Sequence, residues 1–336
     1  MTQISTQIST LTLAIPVHND RAPLLRLLAR IGGLGSVAHV VVVDDGSDLP
    51  LETSELCQAL ETGQKTGQKT GQSTTLSLLR NDTAKGPGHA RNRALTEVTT
   101  DHLLFVDADD MVTRELVPLM RDLDGRDFDF CLFQYHDTRQ EKGLSWGQMP
   151  WDLSLWQDAG VALGALCPVP PGARAPLSRC ANYPWNKIYR TAFLRAHAIT
   201  CSEIPLHEDV ELHWRSFIHA RAILASDRIG VIHFVDEAGT RLTNRTGPER
   251  LEVFGPLNRI ADEIAAHDPD TYALPFARFA LGLIAWISDN LDPTHHTRLE
   301  ELTRAFIQAH ITDTIAAAIT DADPGLAARM LRSELF

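Results

Sequence analysis

LLFVDADDM, residues 103–111, places four consecutive apolar residues directly ahead of a run holding three carboxylates, Asp107, Asp109 and Asp110. A short apolar run closed by polar residues reads as a strand buried on both faces. Working outward, LTLAIPV (11–17), HVVVVDDGS (39–47) and TLSLLRND (75–82) have the same character. Between them RAPLLRLLARIGGL (21–34) carries apolar residues at helical spacing and stops at glycines, and GPGHARNRALTEV (86–98) is a Gly-rich turn opening a helix. Strands alternating with helices predict a mostly parallel sheet flanked by helices, an α/β fold. In such open sheets ligands collect beyond the carboxyl ends of the strands. Asp44 and Asp45 end the second strand and the 107–110 acids end the fourth, so two strands deliver carboxylates to one rim.

Those acids need compensation. Residues 101–130 hold nine acids and three bases, and two carboxylates about 4 Å apart repel by roughly 4 kcal/mol at an effective dielectric near 20. A hard divalent cation, Mg²⁺ or Mn²⁺, removes that repulsion, takes oxygen ligands and lets bound phosphates complete its shell. The run RNDTAKGPGHARNRA (80–94) offers Arg80, Lys85, Arg91 and Arg93 beside two glycines, which suits a phosphate-bearing ligand bridging basic loop and metal.

Composition sets the outer bounds. With 336 residues and 44% apolar content the chain can bury a large core. A net charge of -12 excludes broad attraction to nucleic acid or anionic lipid as the main activity. Five cysteines, an odd number without a C-x-x-C pair, read as thiols in a reducing compartment. The N-terminus lacks the basic start and apolar core of a secretion signal, and no run reaches the roughly 18 apolar residues of a membrane span. The expectation is a cytoplasmic protein.

TGQKTGQKTGQ (62–72) repeats a four-residue unit without an apolar residue and reads as an exposed low-complexity loop. Residues 136–182 show no sustained period. YPWNKIYRTAFLRAHAI (183–199) reads as a strand or turn entering a helix, and IPLHEDVELHWRSFIHARAIL (204–224) as a loop opening another helix with Glu208 and Asp209 in its first turn.

Taken together, IPVHND (15–20), VVVVDDGSD (40–48), GPGHARNRAL (86–95), FVDADD (105–110), YPWNKIYR (183–190) and HEDVELHW (207–214) resemble the family 2 glycosyltransferases of GT-A fold, which take sugar from a nucleotide-diphosphate donor. The six elements occur in the family's order over about residues 11–220. A lone D-x-D is weak evidence, whereas six elements in register are specific. The resemblance implies a Rossmann-like catalytic domain over 1–235, with a donor half at about 11–125 and an acceptor half at about 126–235, followed by a C-terminal helical region, 236–336. It implies donor contacts from Pro16, Asn19 and Asp45, the last on the uracil edge. Asp107 and Asp109 become the D-x-D holding metal and donor, and Asp110 shares the metal. Arg91 contacts the diphosphate or sugar. Asp209 acts as general base, and Trp185 and Glu208 shape the acceptor side. The acceptor would be a glycan or a lipid-linked sugar, met in the second case at the inner face of the membrane.

Elementary chemistry agrees with that assignment. A sugar hydroxyl is a poor nucleophile, so a carboxylate must accept its proton, and the leaving diphosphate develops charge that a cation and a guanidinium offset. The outcome is a single displacement with inversion. Each residue also has a plainer reading. Asp44 and Asp45 before Gly46 make a turn, Asp109 and Asp110 cap a helix starting near Thr113, Glu208 and Asp209 serve only a helix dipole, and Trp185 is core packing.

His207, His213 and His219 recur every six residues and do not share a helical face, which disfavours a zinc site. His233 lies in a strand-like GVIHFV, with a buried role or a reach to the metal both open. IHFVDEAGTRLTN (232–244) departs from the family by carrying Asp236 and Glu237 where a basic pair is usual. FARFALGLIAWISDNL (276–291) is the most apolar helix-like stretch. With Arg278 its one cation, it fits packing on the catalytic unit or a second copy better than a membrane surface. Three other readings stand beside the transferase: a phosphoacceptor receiver, a nucleotide-binding or glycan-binding domain without activity, and a nucleotidyltransferase.

Overall fold

A computed structural model of the chain describes residues 10–66, 73–161, 166–235 and 244–332. Its first half is the expected alternation. β1 (Leu11–Val17), α1 (Arg21–Gly32), β2 (His39–Asp45), α2 (Thr53–Thr66), β3 (Thr75–Asn81), α3 (Pro87–Glu97) and β4 (His102–Phe105) follow in order. The four strands are parallel, in the order β3-β2-β1-β4. Successive side chains of a strand point to opposite faces, and both faces are dry here. Ala14, Val41, Val43, Leu103 and Phe105 enter one apolar cluster, while Leu13, Ile15, Val40, Val42 and Leu104 enter the other.

The second half extends this sheet. β5 (Met111–Val112), α4 (Leu116–Leu123), β6 (Phe130–Asp137), α5 (Pro150–Asp158), β7 (Cys167–Pro168), α6 (Pro171–Leu177), β8 (Lys187–Arg190), α7 (Thr191–Ala196), α8 (Asp209–His219) and β9 (Ile223–His233) follow. β8 runs antiparallel between β4 and β6, and β9 lies parallel to β6. β5 and β7 pair antiparallel along β9. This reversal brings the start of β8 and the ends of β6 and β9 to the rim where β2 and β4 end. α1, α2 and α4 cover one face, and α3, α6 and α8 cover the other.

Two local expectations change. The exposed loop expected over 62–72 begins later, because α2 continues through Thr66, and Gly63 is pressed against α1. A Cβ on Gly63 would lie 1.8 Å from the Ala29 carbonyl oxygen, and one on Gly32 would lie 2.0 Å from that of Leu60. The first repeat unit therefore forms a close helix crossing that only glycine permits; residues 67–72 lie outside the described residues. The helix expected near Thr113 starts at Leu116, after Thr113 has turned the chain by accepting the Glu115 N–H.

After β9, residues 236–243 lie outside the described residues, and Asp236 and Glu237 with them. α9 (Phe254–His267), α10 (Pro269–Asn290), α11 (His296–His310), α12 (Asp313–Ala322) and α13 (Pro324–Arg332) form the C-terminal part. Leu257, Ile260, Phe276 and Ile284 belong to the same apolar cluster as Val210, Trp214 and Phe217 of α8 and Phe130 of β6. Among the described residues α10 is the one helix long and apolar enough to cross a membrane. Its Phe276 and Phe279 pack on Trp214, with ring centroids 4.9 and 5.3 Å apart.

Candidate functional site

The rim is built by the turns that follow the strands. After β1, Asn19 adopts a left-handed backbone with φ of 61°. Its N–H donates to Ser47 Oγ (3.0 Å), its amide donates to Asp48 Oδ2 (3.2 Å), and its Oδ1 accepts from the Asp48 N–H (2.9 Å). Asn19 thus ties the turns after β1 and β2 together, while Pro16 sits inside β1 opposite Val43.

Asp44 and Asp45 have separate tasks. Asp44 accepts from the N–H groups of Ser47 and Leu51 and from Arg80. Burial works to raise its carboxyl, but these donors outweigh it and hold the pKa below the usual range. Asp44 thereby has the turn role foreseen for it. Asp45 reaches across to the loop before α3, accepting from Asn81 Nδ2 (2.6 Å) and from the N–H groups of Lys85 (3.0 Å) and Gly86 (2.8 Å). Gly46, at φ of 70°, lets that loop approach, since a Cβ there would lie 2.5 Å from Ala84 N. The Gly-rich turn is pinned to β2 before any ligand arrives.

α3 then aims Arg91 inward. Only 4% of its side chain is exposed, and it bridges two carboxylates, reaching Asp107 Oδ1 at 2.6 Å and Glu208 Oε1 at 2.7 Å. Burial alone would lower the guanidinium's pKa; Asp107 and Glu208 more than reverse that. Gly88 makes the approach possible, because a Cβ there would lie 2.0 Å from the Ser202 carbonyl oxygen on the loop that carries Glu208. Two segments far apart in sequence, the turn after β4 and the start of α8, are thus joined by one side chain.

Within the 107–110 turn the acids diverge. Asp107 and Asp109 are partly exposed, whereas Asp110 is buried. His233 Nδ1 lies 3.0 and 3.1 Å from its two oxygens, and the Phe234 N–H donates to one of them at 3.0 Å. Burial, opposed by His233, raises the Asp110 carboxyl to about 6. His233 is raised in return, since burial is outweighed by Asp110. Asp110 therefore fastens the turn to the end of β9 and caps no helix.

Asp209 opens α8. Its carboxyl is raised to about 7, first by burial and next by Glu208, with Arg91 and Lys187 pulling the other way. Lys187 is fully buried and lowered to about 8 by burial. Its Nζ donates to the Tyr183 carbonyl oxygen (3.0 Å) and Asn186 Oδ1 (2.6 Å). Trp185, 1% exposed, stacks on Tyr183 with centroids 4.3 Å apart and lies 5.0 Å from the His233 ring.

Several residues at the rim were not foreseen. Lys187 stood in a recognised stretch, but its neighbourhood comes from the tertiary fold. His207 has φ of 63° and a ring lowered to about 4, first by burial and then by Arg250. The ring meets Trp286 of α10 edge-on at 5.8 Å, and the Arg250 guanidinium lies 4.7 Å from the centre of the Trp286 indole. His213 faces the Ser178 carbonyl and His219 faces Glu263, so the three histidines point to different partners.

The family model described as Glycosyl transferase family 2 matches residues 12–179. Two curated relatives from Mycobacterium tuberculosis strains, both named pre-mycofactocin glycosyltransferase, are 35% identical over 98 residues. That match covers 29% of this chain and 17% of theirs. Among solved structures, S. aureus TarS 1-349 superposes with a TM-score of 0.70 at 19% identity, covering 97% of this chain and 88% of that one. The same protein in complex with UDP-GlcNAc gives 0.71 at the same identity and coverage. At this identity the likeness is one of fold, and it includes the C-terminal helices.

Proposed function

Because the chain belongs to glycosyl transferase family 2, we propose that it moves a sugar from a nucleotide-diphosphate sugar, a uridine donor, onto a hydroxyl of a glycan or lipid-linked acceptor. Residues 11–125 form the donor half in this reading and 126–235 the acceptor half, with the C-terminal helices α9 to α13 packed against them. The observation that carries it is the bridge Asp107–Arg91–Glu208, which couples the acid turn after β4 to the residue beside Asp209. In this reading the bridge ties the phosphate-facing acid to the segment that carries the proton acceptor.

Asp209 takes the proton from the acceptor hydroxyl as its oxygen attacks the anomeric carbon. The bond from that carbon to the donor phosphate breaks, and the nucleoside diphosphate leaves with the electron pair. Attack opposite the leaving group inverts the anomeric centre. A pKa near 7 suits a general base that must be ionised yet still hold a proton. The Asp45-pinned loop and Asn19 form the nucleoside end, with Pro16 beneath it, and the ring pair Tyr183–Trp185 stiffens the acceptor side beside Glu208.

Among the described residues no three His, Cys, Asp or Glu side chains converge as a ready cation cage. Asp107 and Asp109 are partly exposed oxygen donors, a set that fits Mg²⁺ or Mn²⁺, which bind through one or two carboxylates with substrate phosphates completing the shell. When bound, the ion supplies positive charge opposite the leaving diphosphate. Arg91 holds Asp107 in place and adds its own charge behind it.

Asp209→Asn tests the base: sugar transfer should fall by at least about a hundredfold with donor affinity nearly intact. Asp109→Ala should instead lose the metal-dependent part of donor binding. Wild-type turnover by Asp209→Asn would refute the base assignment. Thermal shifts against a panel of nucleotide sugars, with and without Mn²⁺, identify the donor. Release of pyrophosphate in place of nucleoside diphosphate would mark a nucleotidyltransferase.

A further inference from the structure

Beyond the rim, α1 and the turn after β5 border an open surface pocket of about 310 Å³ lined by the exposed side chains of Arg26, Arg30 and Arg114, with Ala29, Leu34 and Met111 as its apolar floor. No carboxylate lines it. The chain has twelve more acids than bases, yet among the described residues none of these three guanidiniums enters an ion pair, unlike Arg21 on the same helix, which pairs with Glu55. Arg26 and Arg30 stand one turn apart, where like charges weaken a helix. The negative end of the α1 dipole favours Arg30, but it does not account for Arg26 or for Arg114, which arrives from a different element.

We infer that this pocket is an anion site for a phosphate-bearing group, separate from the donor site. Guanidinium groups bind phosphate oxygens in pairs through their forked donors, and three of them around one opening match a tetrahedral or doubled phosphate. The floor of Leu34 and Met111 accepts an apolar portion attached to that phosphate. Met111 directly follows Asp110 and pairs with Ile232 next to His233, so an occupant touching Met111 sits one residue from the acid turn. The phosphate has two possible sources, a soluble molecule or a lipid headgroup.

The test compares the full chain with the triple variant Arg26→Gln, Arg30→Gln, Arg114→Gln. All three side chains are exposed, and circular-dichroism melts confirm an intact fold. A control variant neutralises three exposed arginines elsewhere, Arg121, Arg126 and Arg304. Inorganic pyrophosphate is titrated calorimetrically with EDTA present, so that the metal-dependent donor site stays silent. In parallel, co-sedimentation is measured with vesicles of phosphatidylcholine alone and of phosphatidylcholine containing phosphatidylglycerol.

Binding of either probe should weaken about tenfold or more in the triple variant and stay unchanged in the control. Pyrophosphate binding alone assigns a soluble ligand, and vesicle binding that requires phosphatidylglycerol assigns a lipid headgroup. The inference is overturned if wild-type protein binds neither probe, if the triple variant binds as well as wild type, or if the control loses binding equally. Donor affinity and transfer rate play no part in this readout, so it stands or falls separately from the transferase assignment.

Discussion

At the scale of single residues, the site depends on how two charged groups are housed. Arg91 satisfies Asp107 and Glu208 at once, and breaking a buried pair from one side leaves uncompensated charge. Arg91→Met should therefore cost about 3 kcal/mol or more in urea unfolding. Arg91→Lys should cost less but still destabilise, because a single ammonium lacks the fork that spans both acids. Stability equal to wild type in both variants would mean that the bridge carries no weight. Asp209 behaves in the opposite sense. The folded protein holds its proton more tightly than the unfolded chain does, so ionising it costs stability. That cost is absent below the ordinary carboxylate range near 4 and complete above about 7. Relative to wild type, Asp209→Asn should thus gain in melting temperature between pH 5 and pH 8. Over the same interval wild-type kcat/KM should climb through about 7 and then level, and a flat profile would point to a different base.

At the scale of elements, the close crossing of α1 and α2 shows how a polar repeat can be structural. Gly63 belongs to a stretch that looks like solvent-exposed filler, yet it stands 1.8 Å, by the position of a missing Cβ, from the backbone of α1. Gly63→Ala should destabilise by about 1–3 kcal/mol through forced separation of the helices. Gly143→Ala, where nothing lies within 4 Å, should be close to neutral in the same chemical denaturation. α8 makes a related point about function. Its first turn presents Asp209 at the rim, while its buried face, Trp214 and Phe217, anchors it in the core. The packing that stabilises the helix also fixes the direction of the carboxylate.

At the scale of the whole molecule, the C-terminal helices do not form a separate body. α9 and α10 share their apolar cluster with α8 and β6, and Trp286 reaches His207 beside the acid pair. Residues 1–235 expressed alone should expose that shared surface and aggregate, or lose the near-ultraviolet dichroism of a packed core. A soluble, cooperatively melting fragment would show instead that the helices are dispensable for folding.

The sequence by itself determined the parallel half of the sheet and the positions of the acids on its rim. Those features follow from short continuous apolar runs, buried on both faces, and from the acids that close them, which are local properties of LTLAIPV, HVVVVDDGS and LLFVDADDM. The approach of Asp209 to the same rim was legible only through resemblance, since residues 183–199 read as a strand or turn entering a helix without any sign that β8 runs antiparallel to β4. Only the tertiary structure decided that Asp110 faces His233, that Arg91 bridges Asp107 and Glu208, and that α10 supplies Trp286. Each is a contact between residues about a hundred positions apart or in separate elements. Its existence depends on how helices and strands are brought together, because burial and charge pairing act through space and leave no period along the chain.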